Sequence, residues 1–326
     1  MAEDSVLSLR DLKVEFRTPM GIVQAVRGVD LDVAPGEAVG IVGESGSGKS
    51  VTFLATMGLL PRGARITGSA QVGGVELVGA PRKLLNRVRG QRVAMIFQDP
   101  LSALNPVHRI GDQIVEMLDA HQHLDRREAD RRAIELLDTV GIPQPDKRAR
   151  QYPHEFSGGM RQRVMIAMAI ANNPDVLIAD EPTTALDVTV QAQILDVITQ
   201  IRETMRTAVV MITHDLGVVA RVVDRVQVMY AGRVAERTDV DSLFAQPTHP
   251  YTEGLLHSIP RHGQERLRPI AGSPPNMLRP PTGCPFAPRC QYAQDRCTVA
   301  LPGLFPYGQA HTACVRIDEL QLEATA

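Results

Sequence analysis

Short, almost wholly apolar runs alternate with helix-period stretches along the first three quarters of the chain. Residues 38–42, 93–97, 176–179 and 209–213 are nearly continuous in aliphatic side chains, as in strands buried on both faces. Residues 191–205 place Ile194, Ile198, Ile201 and Met205 at helical spacing and predict an amphipathic helix. Strands separated by helices predict an α/β fold whose central sheet is largely parallel, with helices on its faces. Arg225–Tyr230 and residues 233–236 flank Ala231-Gly232, which predicts a hairpin with the glycine such a turn favours.

Beyond about Gln246 the texture changes. Pro247, Pro250, Pro260, Pro269, Pro274, Pro275, Pro280, Pro281, Pro285 and Pro288 crowd in and the periodicity fades. Long helices and central strands are excluded there, so a boundary is expected near residue 245, between a main domain at 1–245 and an extension at 246–326.

A chain of 326 residues suffices for one large domain and an appendage. Its 44% hydrophobic and 22% charged residues exclude global disorder. The net charge of -2 argues against nucleic acid as partner. The Arg-rich run at 126–132 does not reverse this, because Ile134, Leu136 and Leu137 make it the solvated face of a helix. The longest apolar runs, 51–60 and 164–171, fall short of the ~18–20 residues a membrane helix needs. Glu3 and Asp4 stand where a secretory signal would be apolar, so cytosolic residence is the expectation.

Gly43-Glu44-Ser45-Gly46-Ser47-Gly48-Lys49-Ser50 follows a predicted strand and opens a helix-like stretch from Val51. This is a P-loop in its required context. Its glycines let backbone N–H groups turn toward phosphate oxygens at a helix N-terminus, Lys49 reaches the β and γ phosphates, and the Ser50 hydroxyl ligates Mg²⁺. Gly43 through Val51 is therefore the expected ATP-binding set.

The run at 176–179 ends in two carboxylates. Strand alternation lets Asp180 hold the Mg²⁺ while Glu181 polarises the attacking water. Gln98 and His214 end two other predicted strands, where ligands of open α/β sheets gather, and Gln98 has an amide able to meet both water and metal. Ser157-Gly158-Gly159 precedes another helix-like run and forms a second anion site. One triphosphate already has its cradle, so this surplus points to a two-chain arrangement.

With Phe156 through Arg163 in view, the chain resembles the nucleotide-binding subunits of ABC transporters, whose signature has this form and which dimerise head to tail on two ATP. The resemblance implies a mixed central sheet, an antiparallel β subdomain and a helical subdomain at about 100–170. It makes Gln98 the Q-loop residue, Ala185-Leu186-Asp187 the D-loop, His214 the switch histidine and Phe16 the aromatic on adenine. Pro153-His154-Glu155-Phe156, His249-Pro250-Tyr251-Thr252 and the segment from Cys284 to Cys290 are similar to the oligopeptide and dipeptide permease ATPases. That likeness implies peptide import, with a paralogous ATPase, two transmembrane permease subunits and an extracytoplasmic binding protein as partners. It places the chain peripherally on the cytoplasmic face of the inner membrane. A nickel or other small-solute importer and a non-transport ABC ATPase are the alternatives.

All four cysteines, Cys284, Cys290, Cys297 and Cys314, lie in the extension, spaced C-x5-C-x6-C-x16-C. In a cytosolic chain their clustering suggests a metal centre rather than disulfides, and four thiolates suit zinc or a [4Fe–4S] cluster. Zinc sites usually carry C-x2-4-C pairs, which are missing here. The family resemblance favours the iron–sulfur cluster, with buried unligated thiols as the remaining reading.

Overall fold

The apolar runs become strands whose ends fall within a residue of those expected. The computed structural model describes residues 5–184, 186–259 and 269–323. Glu3, Asp4, Ala185 and Pro260 lie outside the described residues. In chain order the strands are β1 (Leu7–Thr18), β2 (Gly21–Val33), β3 (Ala38–Val42), β4 (Ala64–Val72), β5 (Val75–Glu76), β6 (Val93–Ile96), β7 (Val176–Asp180), β8 (Ala208–Thr213), β9 (Arg225–Tyr230), β10 (Arg233–Asp239), β11 (Phe305–Tyr307) and β12 (Ala310–Thr312). The helices are α1 (Lys49–Thr56), α2 (Arg82–Val88), α3 (Pro100–Ala103), α4 (Ile110–Asp119), α5 (Arg126–Thr139), α6 (Pro145–Arg148), α7 (Gly158–Ile170), α8 (Val188–Met205), α9 (Leu216–Val222), α10 (Val240–Ala245), α11 (Pro250–His257) and α12 (Arg296–Val299). The chain divides into one unit of Met1–Ser8, Asp32–Glu37 and Gln71–Met211 and another of Leu9–Leu31, Ala38–Ala70 and Ile212–Ala326. Among the described residues no helix is long and apolar enough to cross a membrane.

In the first unit β6 and β7 pair in parallel, from Val93 opposite Val176 to Ile96 opposite Ala179. Every position of both strands is buried, which is why their sequences show no polar alternation. Helices α4, α5 and α7 pack together beside them in sequence. Helix α5 starts at a capping box, with the Asp125 side chain accepting from the Glu128 N–H and the Glu128 carboxylate accepting from the Asp125 N–H. It buries Ala129, Ala133, Leu136 and Leu137 and leaves Arg126 paired with Asp112 and Asp130 at the surface. The Arg-rich run is thus a solvated helix face. Helix α8 begins at Val188, ahead of the expected residue 191, because Asp187 Oδ1 accepts the Val190 N–H at 2.9 Å and sets the start.

In the second unit β3 pairs in parallel with β9, β9 and β10 form the expected hairpin, and β12 adds antiparallel to β10 with β11 beyond it. Ala231 and Gly232 turn the hairpin with φ of 48 and 75°, the all-positive geometry that matches strand twist. The Pro-rich extension therefore joins the sheet through β12. It also forms α11, since Pro250 sits in the first turn, where its missing N–H has no partner to lose. Glu236, fully buried on β10, accepts the N–H groups of Thr248 and His249, both at 2.9 Å.

His249 is itself buried, and its Nδ1 accepts the Tyr251 N–H at 3.1 Å, which requires an unprotonated nitrogen there. Burial pulls its pKa from 6.5 down to about 4. An unfolded chain takes up this proton near the ordinary value and the folded chain resists until about 4. Stability from this group is therefore complete above the ordinary value and is lost as pH falls toward the folded one. We expect denaturant unfolding of this unit to lose about 2 kcal/mol between about pH 7 and pH 5 from His249 alone. A His249→Gln chain that keeps the whole of that pH dependence would contradict this.

Candidate functional site

Strand β3 leads directly into the glycine loop, and Lys49 opens α1. Two loop glycines are required by space as well as by φ. A Cβ on Gly43, at φ 147°, would lie 2.2 Å from the Met229 carbonyl oxygen, and one on Gly48, at φ 98°, 2.6 Å from that of Ala25. Lys49 is buried, with its Nζ donating to the carbonyls of Gly43 at 2.7 Å and Glu44 at 3.1 Å. Ser45 and Gly46 are exposed, while Ser50 and Val51 are half-buried on α1.

The loop is also held from the extension. The Tyr251 hydroxyl accepts the Glu44 N–H at 2.7 Å, and Arg289 grips the Glu44 carboxylate with both terminal nitrogens, at 2.6 and 2.9 Å. Pro274, Pro275 and Met277 line a cavity together with Glu44, Ser45, Gly46 and Ser47. Periodicity gave no sign of these partners. Tyr251 and Arg289 stand inside the stretches that carry the permease resemblance, which is the only signal that could have singled them out.

His214 is exposed just past β8, where Asp215 caps α9 by accepting the Gly217 N–H at 2.8 Å. Phe16 continues the β1 face of Leu12 and Val14, both fully buried, and is itself half-buried. These two residues and the glycine loop belong to the second unit.

Within the first unit, Asp180 is buried at the end of β7 and Glu181 follows at φ 47°, a left-handed backbone uncommon for a residue with a side chain. Gln98 Nε2 donates to Glu181 Oε2 at 2.8 Å, and the Thr184 hydroxyl donates to the same oxygen at 2.9 Å. Two expected catalytic side chains are thereby in direct contact, and Thr184 is a partner the sequence reading missed. Ser157 caps α7, accepting the Met160 N–H at 3.3 Å, so Gly158 and Gly159 form the first turn of a helix as expected. Asp187 is the cap of α8, while its neighbour Ala185 lies outside the described residues.

The four cysteines line one cavity with His249, Phe286 and Leu320. None is in a disulfide. Burial raises the Cys290 and Cys314 thiols to about 11 and that of Cys284 above its ordinary value, so these protons stay on sulfur at neutral pH. Among the described residues no group of three or more His, Cys, Asp or Glu is placed to hold a metal ion. The expected iron–sulfur or zinc centre thus has no preformed ligand set among the described residues.

Two family models match the chain, "ABC transporter" over residues 26–184 and "oligopeptide/dipeptide transporter, C-terminal region" over residues 235–297. The chain is 49% identical over 321 residues to an oligopeptide transport ATP-binding protein of Haemophilus influenzae, covering 97% of this chain and 99% of that protein. It is 50% identical to a dipeptide transport ATP-binding protein of Bacillus subtilis, covering 98% and 97%. Among solved structures, a dimeric ATP-binding cassette in a post-hydrolysis state with ADP and phosphate is similar, at 26% identity and TM-score 0.64, over 72% of this chain and 98% of that one. By these matches the chain belongs to the ABC transporter family, among its oligopeptide and dipeptide transport ATP-binding proteins.

Proposed function

We propose that the chain is the ATP-binding and ATP-hydrolysing subunit that powers import of oligopeptides or dipeptides. The observation that carries this reading is identity of about half over nearly the whole length to transport ATP-binding proteins of both substrate classes. The P-loop geometry supports it independently. Gly43 through Val51 holds the phosphates of ATP, with Lys49 on the β and γ phosphates. Ser50, Asp180 and Gln98 would hold Mg²⁺, Glu181 would orient the water, and His214 would serve as the switch histidine. Phe16 stacks on adenine. Ser157, Gly158 and Gly159, with Asp187, face the nucleotide of a second ATPase chain, a paralogue in this proposal. Residues 1–245 form the ATPase domain, with helices α3 to α7 as its helical subdomain, and 246–326 the extension.

Lacking any described helix able to cross a membrane, the chain docks peripherally, at the cytoplasmic face of the inner membrane. Two transmembrane permease subunits move the solute, and an extracytoplasmic binding protein delivers it. The decisive experiment reconstitutes the chain with its candidate permease and binding proteins in vesicles. ATP-dependent uptake of labelled peptide is the expected result, and uptake of nickel without peptide overturns the substrate class.

A finer proposal concerns the four cysteines. Their shared cavity supports them as the holders of a metal centre, a [4Fe–4S] cluster before zinc, which would cross-link the Pro-rich segment. Iron and sulfide analysis of anaerobically prepared protein tests it; protein free of both overturns the cluster.

A further inference from the structure

Arg289 serves the phosphate loop from a distance of 245 positions in sequence. Its side chain is only 4% exposed. Its Nε donates to the Ala271 carbonyl at 2.8 Å, one terminal nitrogen to Glu44 Oε2 and the Tyr230 hydroxyl, and the other to Glu44 Oε1 and the Ile270 carbonyl. That accounts for all five N–H donors of a guanidinium. The group also lies 5.8 Å from the centre of the Tyr230 ring and 5.9 Å from that of Phe286. With both its position and its plane fixed, its fork can hold the Glu44 carboxylate in one orientation.

Glu44 is thus clamped at both ends, its carboxylate by Arg289 and its N–H by the Tyr251 hydroxyl. Its own carbonyl and that of Gly43 accept from Lys49. A glycine-rich loop has many accessible backbone states, and fixing them costs entropy when a ligand selects one. A clamp that fixes the loop beforehand removes part of that cost from nucleotide binding.

We infer that Arg289 is a positioning residue for ATP: acting through Glu44, and jointly with Tyr251, it pre-forms the phosphate cradle, so the extension sets nucleotide affinity. The inference rests on the reading of the loop as an ATP site. Arg289 makes no contact with the phosphates in this account and takes no part in the chemistry.

The test measures binding of a fluorescent ATP analogue with Mg²⁺, and KM and kcat for ATP in the reconstituted transporter. Arg289→Gln is expected to raise Kd and KM about tenfold with kcat changed less than about twofold. Arg289→Lys keeps the charge but loses the fork and recovers only part of the affinity. Tyr251→Phe, a conservative change that removes the other clamp, shifts Kd in the same direction and serves if Arg289→Gln does not fold. Glu44→Gln combined with Arg289→Gln is expected to be no worse than either alone. An unaltered chain that binds ATP while all three single variants at Arg289 and Tyr251 match its Kd overturns the clamp alone. A chain that binds no ATP overturns the ATPase reading with it. Variants that lose stability but show equal Kd and KM mark the clamp as structural only, which also overturns the inference.

Discussion

Glu181→Gln is expected to cut ATP turnover by about 10²–10⁴-fold, the usual worth of a positioned general base, while nucleotide binding holds within about twofold. The substitution keeps size and shape and removes only the ability to take a proton. An amide oxygen at the place of Oε2 still accepts from Gln98 Nε2 and the Thr184 hydroxyl, so the local hydrogen bonds at 2.8 and 2.9 Å have a way to persist. Steady-state phosphate release alongside equilibrium binding separates the two quantities. Undiminished release from the variant would remove Glu181 from the chemistry.

Lys49→Ala is expected to act on the other quantity. Hydrogen bonds to charged groups contribute about 1.5–3 kcal/mol each, so losing the ammonium at the phosphates should raise the Kd for ATP by about 10- to 100-fold. The same change strips a donor from the carbonyls of Gly43 and Glu44, which Lys49 meets at 2.7 and 3.1 Å. Denaturant unfolding run in parallel separates this structural loss from lost ligand contact. Calorimetry showing equal ATP affinity for both chains would overturn the role of Lys49 and, with it, the phosphate site.

The strands were legible because β3, β6, β7 and β8 are buried at every position, and such strands announce themselves as aliphatic runs. The glycine loop was equally legible, since positive φ and backbone contacts under 3 Å at Gly43 and Gly48 exclude other residues. The contact of Gln98 with Glu181 could be anticipated only as two strand ends; that the two side chains meet depends on the parallel register of β6 and β7. The Arg289–Glu44 pair was not readable, because no periodicity links positions so far apart. Nor was the division into units, as the chain passes between them several times and local pattern carries no trace of that. The cysteines were legible as a group through their confinement to the tail. The raised pKa of Cys284, Cys290 and Cys314 is a property of the apolar cavity around them, which spacing does not encode.

Glu236 carries a lesson for anyone shortening this protein. Its carboxylate is sealed from water in β10, and the two amides that compensate it come from Thr248 and His249, beyond the point where the proline-rich tail begins. A chain cut at residue 245 would remove both donors from a carboxyl whose pKa burial already raises, at about 1–3 kcal/mol for a buried polar group left unsatisfied, a large part of a typical domain's stability. The tail is then no detachable accessory: trimming it obliges the designer to neutralise position 236 as well.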